Sequence, residues 1–259
     1  MLSQTQLLYL VMLFVAAAWA GAQNQLAGGG SFITLPALIL TGMDARAANI
    51  TSTVALFPGQ VTGGWMGRKV ASGTKSLSFR TLIIISLAGG ALGALLLLLT
   101  PSSVFAHMVP WLVLFATIAF AWGSFGRRPK VEGHGGSSSG LSPLMAAALQ
   151  FCIAIYGGYF GGGIGFLMLA ALALSHVPVR AASATKNVLA GVMNCTAVLI
   201  FLFSGQVRWL PAAIACAGAL AGSFLGARLL QRVDEKLLRI VVVVIGVLLT
   251  VGLFIRSYG

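Results

Sequence analysis

LAGGGSFITLPALILTGMDARAANITSTV occupies residues 26–54, and FGGGIGFLMLAALALSHVPVRAASATKNV occupies residues 160–188. Shifted by 134 positions, twelve of the twenty-seven residues from Gly28 to Val54 coincide, among them Gly28, Gly29, Phe32, Arg46, Thr51 and Val54. A glycine cluster, an apolar leg, an arginine and a threonine therefore recur in the same order in both halves of one chain. The echo continues further on, where AGGALGALLL (88–97) is followed at an offset of 133 by AGSFLGARLL (221–230).

The setting of the repeat is oily. Of 259 residues, 58% are hydrophobic and only 8% charged, whereas a soluble domain carries about a quarter charged residues. Apolar runs cover 7–41, 47–66, 81–99, 109–125, 142–175, 182–203, 209–227 and 238–255. A helix needs about 20 apolar residues to cross a ~30 Å hydrocarbon core. The chain reads as an all-α, polytopic integral membrane protein of 8–10 membrane segments, with membrane lipid as its immediate partner. The net charge of +12 sits mostly in short loops between these runs. Membrane topology explains that placement, so no nucleic-acid partner is expected. Residues 7–20 and AWAGA (18–22) have the look of a signal peptide, but MLSQTQ lacks a basic side chain. Leu7, Leu10 and Ala20 also match Leu141, Leu144 and Ala154, so the segment reads as a retained part of the repeat.

The polar stretch RRPKVEGHGGSSSG, residues 127–140, reads as a cytoplasmic linker between a first repeat at 1–126 and a second at 141–259. Two runs, 7–41 and 142–175, are each too long for a single crossing, at about 50 Å of helix. Each is interrupted by glycines, so each is either one tilted, broken helix or two legs returning to the same side. Charge sidedness separates these. Eight plain spans place at best nine basic residues inside and six outside. Two returning hairpins place twelve inside and three outside (Arg46, Arg208, Arg256), with Lys186 within the membrane. The hairpin arrangement fits the positive-inside rule better. It makes each half cross an odd number of times, which gives two inverted-topology repeats with glycine-broken helical hairpins, an architecture of secondary transporters.

The hairpin tips are the first candidate site. A helix leg that starts inside a bilayer exposes unpaired N–H groups and partial positive charge, which suits a small anionic substrate. This points to Gly28, Gly29, Gly30 and Ser31 in the first copy and to Gly161, Gly162 and Gly163 in the second. The opposite reading is that these glycines only allow helices to pack. After each repeated arginine come Asn49, Thr51 and Ser52, then Thr185, Lys186 and Asn187. Lys186 is a basic residue well inside a span, and such residues are functional candidates. Arg46 and Arg180 are expected to cap the helical legs that precede them. Gln60 and Asn194 occupy equivalent positions and are expected to bridge helices. Gly218, Gly222 and Gly226 form a small-residue face for close packing, within the chain or in a possible homodimer.

No enzyme is indicated. His107, His134 and His176 stand apart, and the acids Asp44, Glu132, Asp234 and Glu235 all lie in loops. No catalytic grouping, metal site or cofactor motif is formed; GGGIG lacks the βαβ context of a dinucleotide loop. Cys152, Cys195 and Cys216 lie inside apolar runs and show neither disulfide nor zinc spacing.

The two motifs together, GGGSFITLPALILTGM followed by RAANITSTV, and YGGYFGGGIGFLMLAALALSHVPVRAASATKNVL, resemble the TauE/SafE-type sulfite exporter family. The resemblance covers essentially the whole chain. It implies a secondary transporter exporting sulfite or an organosulfonate such as sulfoacetate by alternating access, in the bacterial inner (plasma) membrane as a multi-pass protein. An anion channel and a non-transporting membrane scaffold are the alternative readings. The family commonly has a Gly/Ala–Thr–Ser run after the loop. Here Ile50–Thr51–Ser52 and Ala184–Thr185–Lys186 stand in its place, with Lys186 where a small polar residue is usual.

The charge count places both termini outside the cytoplasm. Single cysteines at Ser3 and at Tyr258, in a background lacking the native three, should both react with a membrane-impermeant reagent on intact cells. Protection of both until the cells are opened would favour the eight-span arrangement.

Overall fold

The computed structural model describes residues 4–26, 29–125, 141–229 and 235–258. The linker 127–140 and Gly28 lie outside the described residues. Those described form ten helices and no strand. Each over-long apolar run is broken in two. The first becomes α1 (Gln4–Leu26) and α2 (Ser31–Leu40), and the second becomes α6 (Pro143–Tyr159) and α7 (Ile164–Leu174). Between and after them run α3 (Ala45–Gly67), α4 (Phe79–Leu99), α5 (Ser102–Phe125), α8 (Val179–Leu202), α9 (Trp209–Leu229) and α10 (Glu235–Tyr258). Four are long and apolar enough to cross a bilayer, over Gln6–Asn24, Phe79–Leu99, Ser102–Trp122 and Val179–Leu202. The chain is an all-helical membrane protein.

Local chemistry sets where helices begin. Asp44 accepts the Ala47 N–H at 3.1 Å to open α3. Ser78 does the same for α4 at Thr81, and Ser142, with Pro143 behind it, for α6 at Met145. These are ordinary side-chain caps. By contrast, α2 and α7 begin at Gly30 and Gly163, neither of which offers a capping side chain.

The two halves pack into each other. α1 lies along α9 and α6 along α4, while α3 crosses α8 and α5 lies against α10. Exchanging the halves turns α1–α9 into α6–α4 and leaves the other two pairs unchanged. In lipid, apolar helices gain nothing from water exclusion, so close van der Waals packing through small residues holds them together. A Cβ on Gly222 would strike the carbonyl of Ala18, and one on Gly218 that of Phe14. On the other side, Gly93 meets Ile155 and Tyr159 of α6, and Gly90 meets the backbone of Met193 in α8. The small-residue face read from Gly218 and Gly222 is thus an intrachain contact with α1. Phe32, Leu35, Leu38, Phe105, Phe160 and Phe201 fill the larger core around these crossings.

Gly90→Val places a branched side chain against the Met193 backbone. Overpacking of this kind costs about 1–3 kcal/mol or more, so the purified variant should melt several degrees below the parent. Gly252→Val, at a position with no atom within 4 Å of an added Cβ, should melt with the parent. Equal melting of all three would show that the α4 glycines are not needed for packing.

Candidate functional site

The two glycine tips meet. Gly29 has φ 85°, and Gly161 and Gly163 have φ 77° and 75°, a left-handed conformation open to glycine at little cost. A Cβ on Gly161 would lie 3.8 Å from the Ser31 hydroxyl oxygen, and one on Gly163 would lie 3.4 Å from the Phe32 ring. α2 and α7 have 10 and 11 residues, or about 15–17 Å each. That is about half a ~30 Å hydrocarbon core, so a leg reaching one membrane surface has its start at mid-depth.

At the first tip the Gly30 N–H donates to Asn24 Oδ1 at 2.7 Å. At the second, the Phe166 N–H reaches back to the Gly163 carbonyl at 3.1 Å, while those of Ile164 and Gly165 donate to no described residue. Both residues line a cavity of about 30 Å³, room for a few water-sized bodies. Asn24, Gly29, Ser31, Gln60 and Gly63 line it from the first half. Gly161, Ile164, Gly165, Lys186, Asn187 and Ala190 line it from the second.

Lys186 dominates the electrostatics. It is 2% exposed and opens onto the cavity. Among the described residues its ammonium has no hydrogen-bond or ion-pair partner. Asp44, the acidic side chain described, is engaged elsewhere by the Ala47 N–H and the Ser102 hydroxyl. Its repeat counterpart shows why a charge is left over. Ser52, at the equivalent place, is 2.6 Å from the Thr34 hydroxyl, which ties α2 to α3. The second-half counterparts are Lys186 and Met168, and a thioether is only a weak acceptor. The same two positions make a closed hydroxyl pair in one half and an unpaired cation in the other.

Of the sequence candidates, Gly29, Ser31, Gly161, Lys186 and Asn187 line the cavity. Gly30 caps α2 beside it; Gly162 and Gly163 shape the second tip, where added Cβ atoms would meet the Phe160 ring and Ala116. Asn49 donates from Nδ2 to the Tyr159 carbonyl at 3.0 Å, holding the end of α6. Thr51 accepts the Arg208 N–H at 3.2 Å, and Thr185 accepts the Ser72 N–H at 2.9 Å and donates to the Ser72 carbonyl at 3.0 Å. The repeated threonines therefore fasten, each in turn, a loop of the opposite half. Arg46 does cap a helix, but not the preceding one: its Nη1 donates to the carbonyls of Leu98 and Thr100 at the end of α4. Gln60 and Asn194 do bridge, with Asn194 Nδ2 donating to Gln60 Oε1 at 2.7 Å. Asn24 is the lining residue that repeat matching passes over, because its counterpart is Gly158. The polar run Gln23–Asn24–Gln25 just before the glycines was the available signal. Among the described residues, no three His, Cys, Asp or Glu side chains gather around a point where a metal ion would sit.

Comparison with known proteins gives a concordant result. Residues 13–253 match the family model described as Sulfite exporter TauE/SafE. A probable membrane transporter protein of Haemophilus influenzae is 30% identical over 244 residues, covering 93% of this chain and 92% of the relative. The probable membrane transporter protein YfcA of Escherichia coli K12 is 28% identical over 256 residues, covering 97% and 92%. The probable membrane transporter protein ORF9 of a Sinorhizobium species is 30% identical over 248 residues, covering 94% and 92%. No solved structure matches. The chain belongs to the TauE/SafE family of membrane transporters.

Thr185→Val removes both bonds to Ser72 and leaves those backbone groups short of partners. Its expected effect is on stability, about 1–3 kcal/mol for the lost bonds and uncompensated groups, with little change in the affinity of the folded protein for any oxyanion it is found to bind. An affinity loss of tenfold or more at unchanged melting temperature would instead make Thr185 a ligand.

Proposed function

We propose that this member of the TauE/SafE family is a secondary transporter that exports a small sulfur oxyanion, sulfite or a sulfonate such as sulfoacetate, across the bacterial inner membrane by alternating access. The observation that carries this reading is the buried, unpartnered ammonium of Lys186 beside the open N–H groups of Ile164 and Gly165 in a cavity between two glycine tips. A charge held in a low-dielectric interior is costly unless paired. No carboxylate is among the lining residues, so the partner that neutralises this charge is an anion from outside the protein.

The inverted arrangement of the halves belongs to the same proposal. Two features support it: the sidedness of the basic loops, and the antiparallel run of the equivalent helices α3 and α8, where Gln60 meets Asn194 and Gly67 meets Ala184. In such carriers the half-helix starts meet around a midplane site that opens to each side in turn. The ammonium explains why the substrate is negative, and the membrane-depth tips explain why it is bound within the protein.

Proteoliposomes loaded with sulfite should show saturable efflux. Lys186→Ala should abolish most of it and weaken sulfite binding strongly. Removing one partner of a buried charge pair costs roughly 3–5 kcal/mol, and even half of that exceeds a tenfold change in affinity. Flux that rises linearly without saturation would make the protein a channel. Parental binding and efflux in Lys186→Ala would place the anion elsewhere.

A further inference from the structure

The cavity is lined by two carboxamides whose orientation is fixed from behind. Asn24 Oδ1 is occupied by the Gly30 N–H at 2.7 Å. Gln60 Oε1 is occupied by Asn194 Nδ2, also at 2.7 Å. Both side chains line the cavity, and with each oxygen held by a donor the NH₂ group is the end left without a described partner, ready to donate to a ligand. These nitrogens come from the first half. Lys186 and the Ile164 and Gly165 N–H groups come from the second. Ser31 and Asn187 have no such constraint and can turn a donor inward. No carboxylate is among the lining residues.

Resting on the oxyanion reading above, we infer that Asn24 and Gln60 are substrate ligands, and that the site selects a compact inorganic oxyanion over an organosulfonate. The reason is satisfaction of donors on all sides. An inorganic oxyanion presents acceptor oxygens in several directions. Sulfite carries three oxygens and a bare lone pair at its fourth vertex, whereas a sulfonate carries the same three oxygens and a carbon at the fourth, which fills space there and strips the facing donor of water without accepting its proton. A buried donor left without a partner is costly, so the carbon vertex is disfavoured wherever a donor faces it. The small volume adds to the discrimination, since about 30 Å³ leaves no room for an organic tail beside the oxyanion head. Asn194 then acts as a positioning residue: it touches Gln60 and not the cavity, and it decides which end of the Gln60 amide faces the ligand. The bond joins equivalent positions of the two halves, so the repeat itself sets the polarity of the site.

The test measures dissociation constants of the purified full-length protein for sulfite and for methanesulfonate at one pH. The parent should prefer sulfite by at least tenfold. Gln60→Leu replaces a donor by an apolar wall and should shrink that ratio severalfold, by losing sulfite affinity while methanesulfonate affinity holds or rises. Asn194→Leu should shrink the ratio in the same direction. Combined with Gln60→Leu it should add nothing further, because it acts through that side chain. Equal affinity of the parent for both anions, or an unchanged ratio in Gln60→Leu, overturns this inference and leaves the oxyanion site standing. Additive effects in the double variant overturn the positioning role of Asn194. If the parent binds neither anion, the oxyanion reading falls and takes this one with it.

Discussion

A helix that begins inside a membrane must find acceptors for its first N–H groups in protein or ligand, because hydrocarbon supplies none. That constraint organises the site of this chain. α2 and α7 begin at glycines with no capping side chain. The two starts come together where Gly161 approaches Ser31. One start is partly satisfied from within by Asn24. The other leaves the N–H groups of Ile164 and Gly165, residues that line the cavity, without a described partner. The close helix crossings through Gly90, Gly93, Gly218 and Gly222 hold the tips at this distance. Without such crossings the open donors would be buried against nothing.

The two copies have diverged at the positions that matter for charge. Thr34 and Ser52 form a hydroxyl pair that binds the first hairpin to its neighbour. Met168 and Lys186 stand in the same places in the second half and leave a cation free. Asn24 closes the first tip, where the second has Gly158 packed on the Gly90 carbonyl. Only at Gln60 and Asn194 do both halves keep a carboxamide, and there the pair bonds to itself. One half therefore supplies anchorage and neutral donors, and the other supplies charge and an open helix start.

Much of this was legible in the sequence for a physical reason. Helix breaks, repeats and intramembrane charges are local signals. The glycine clusters announced that residues 7–41 and 142–175 could not remain single helices, and Lys186 stood out by its setting alone. What escaped reading depends on partners distant along the chain. Thr51 and Thr185 recur like ligands, yet their hydroxyls hold Arg208 and Ser72, residues of the other half. Arg46 follows α2 but caps α4, which ends more than fifty positions later. Asn24 has no counterpart in the repeat, so comparing the copies could not reveal it. Recurrence marks positions under a shared constraint; it does not distinguish a loop fastening from a binding contact.

The interleaving of the halves also bears on how the chain is made. The face of α1 that meets Gly218 and Gly222 is covered by α9, which is synthesised only after eight other elements. Until then α1 stands in lipid with its carbonyl-lined contact strip unmatched, and the first tip lacks the second tip it faces. α6, by contrast, finds α4 already in place when it emerges. The amino-terminal half must therefore wait, partly assembled, for the carboxy-terminal half to finish it. A ribosome that stops at the linker leaves an orphan with an uncovered helix surface and an open hairpin, the kind of intermediate that membrane quality control is placed to recognise.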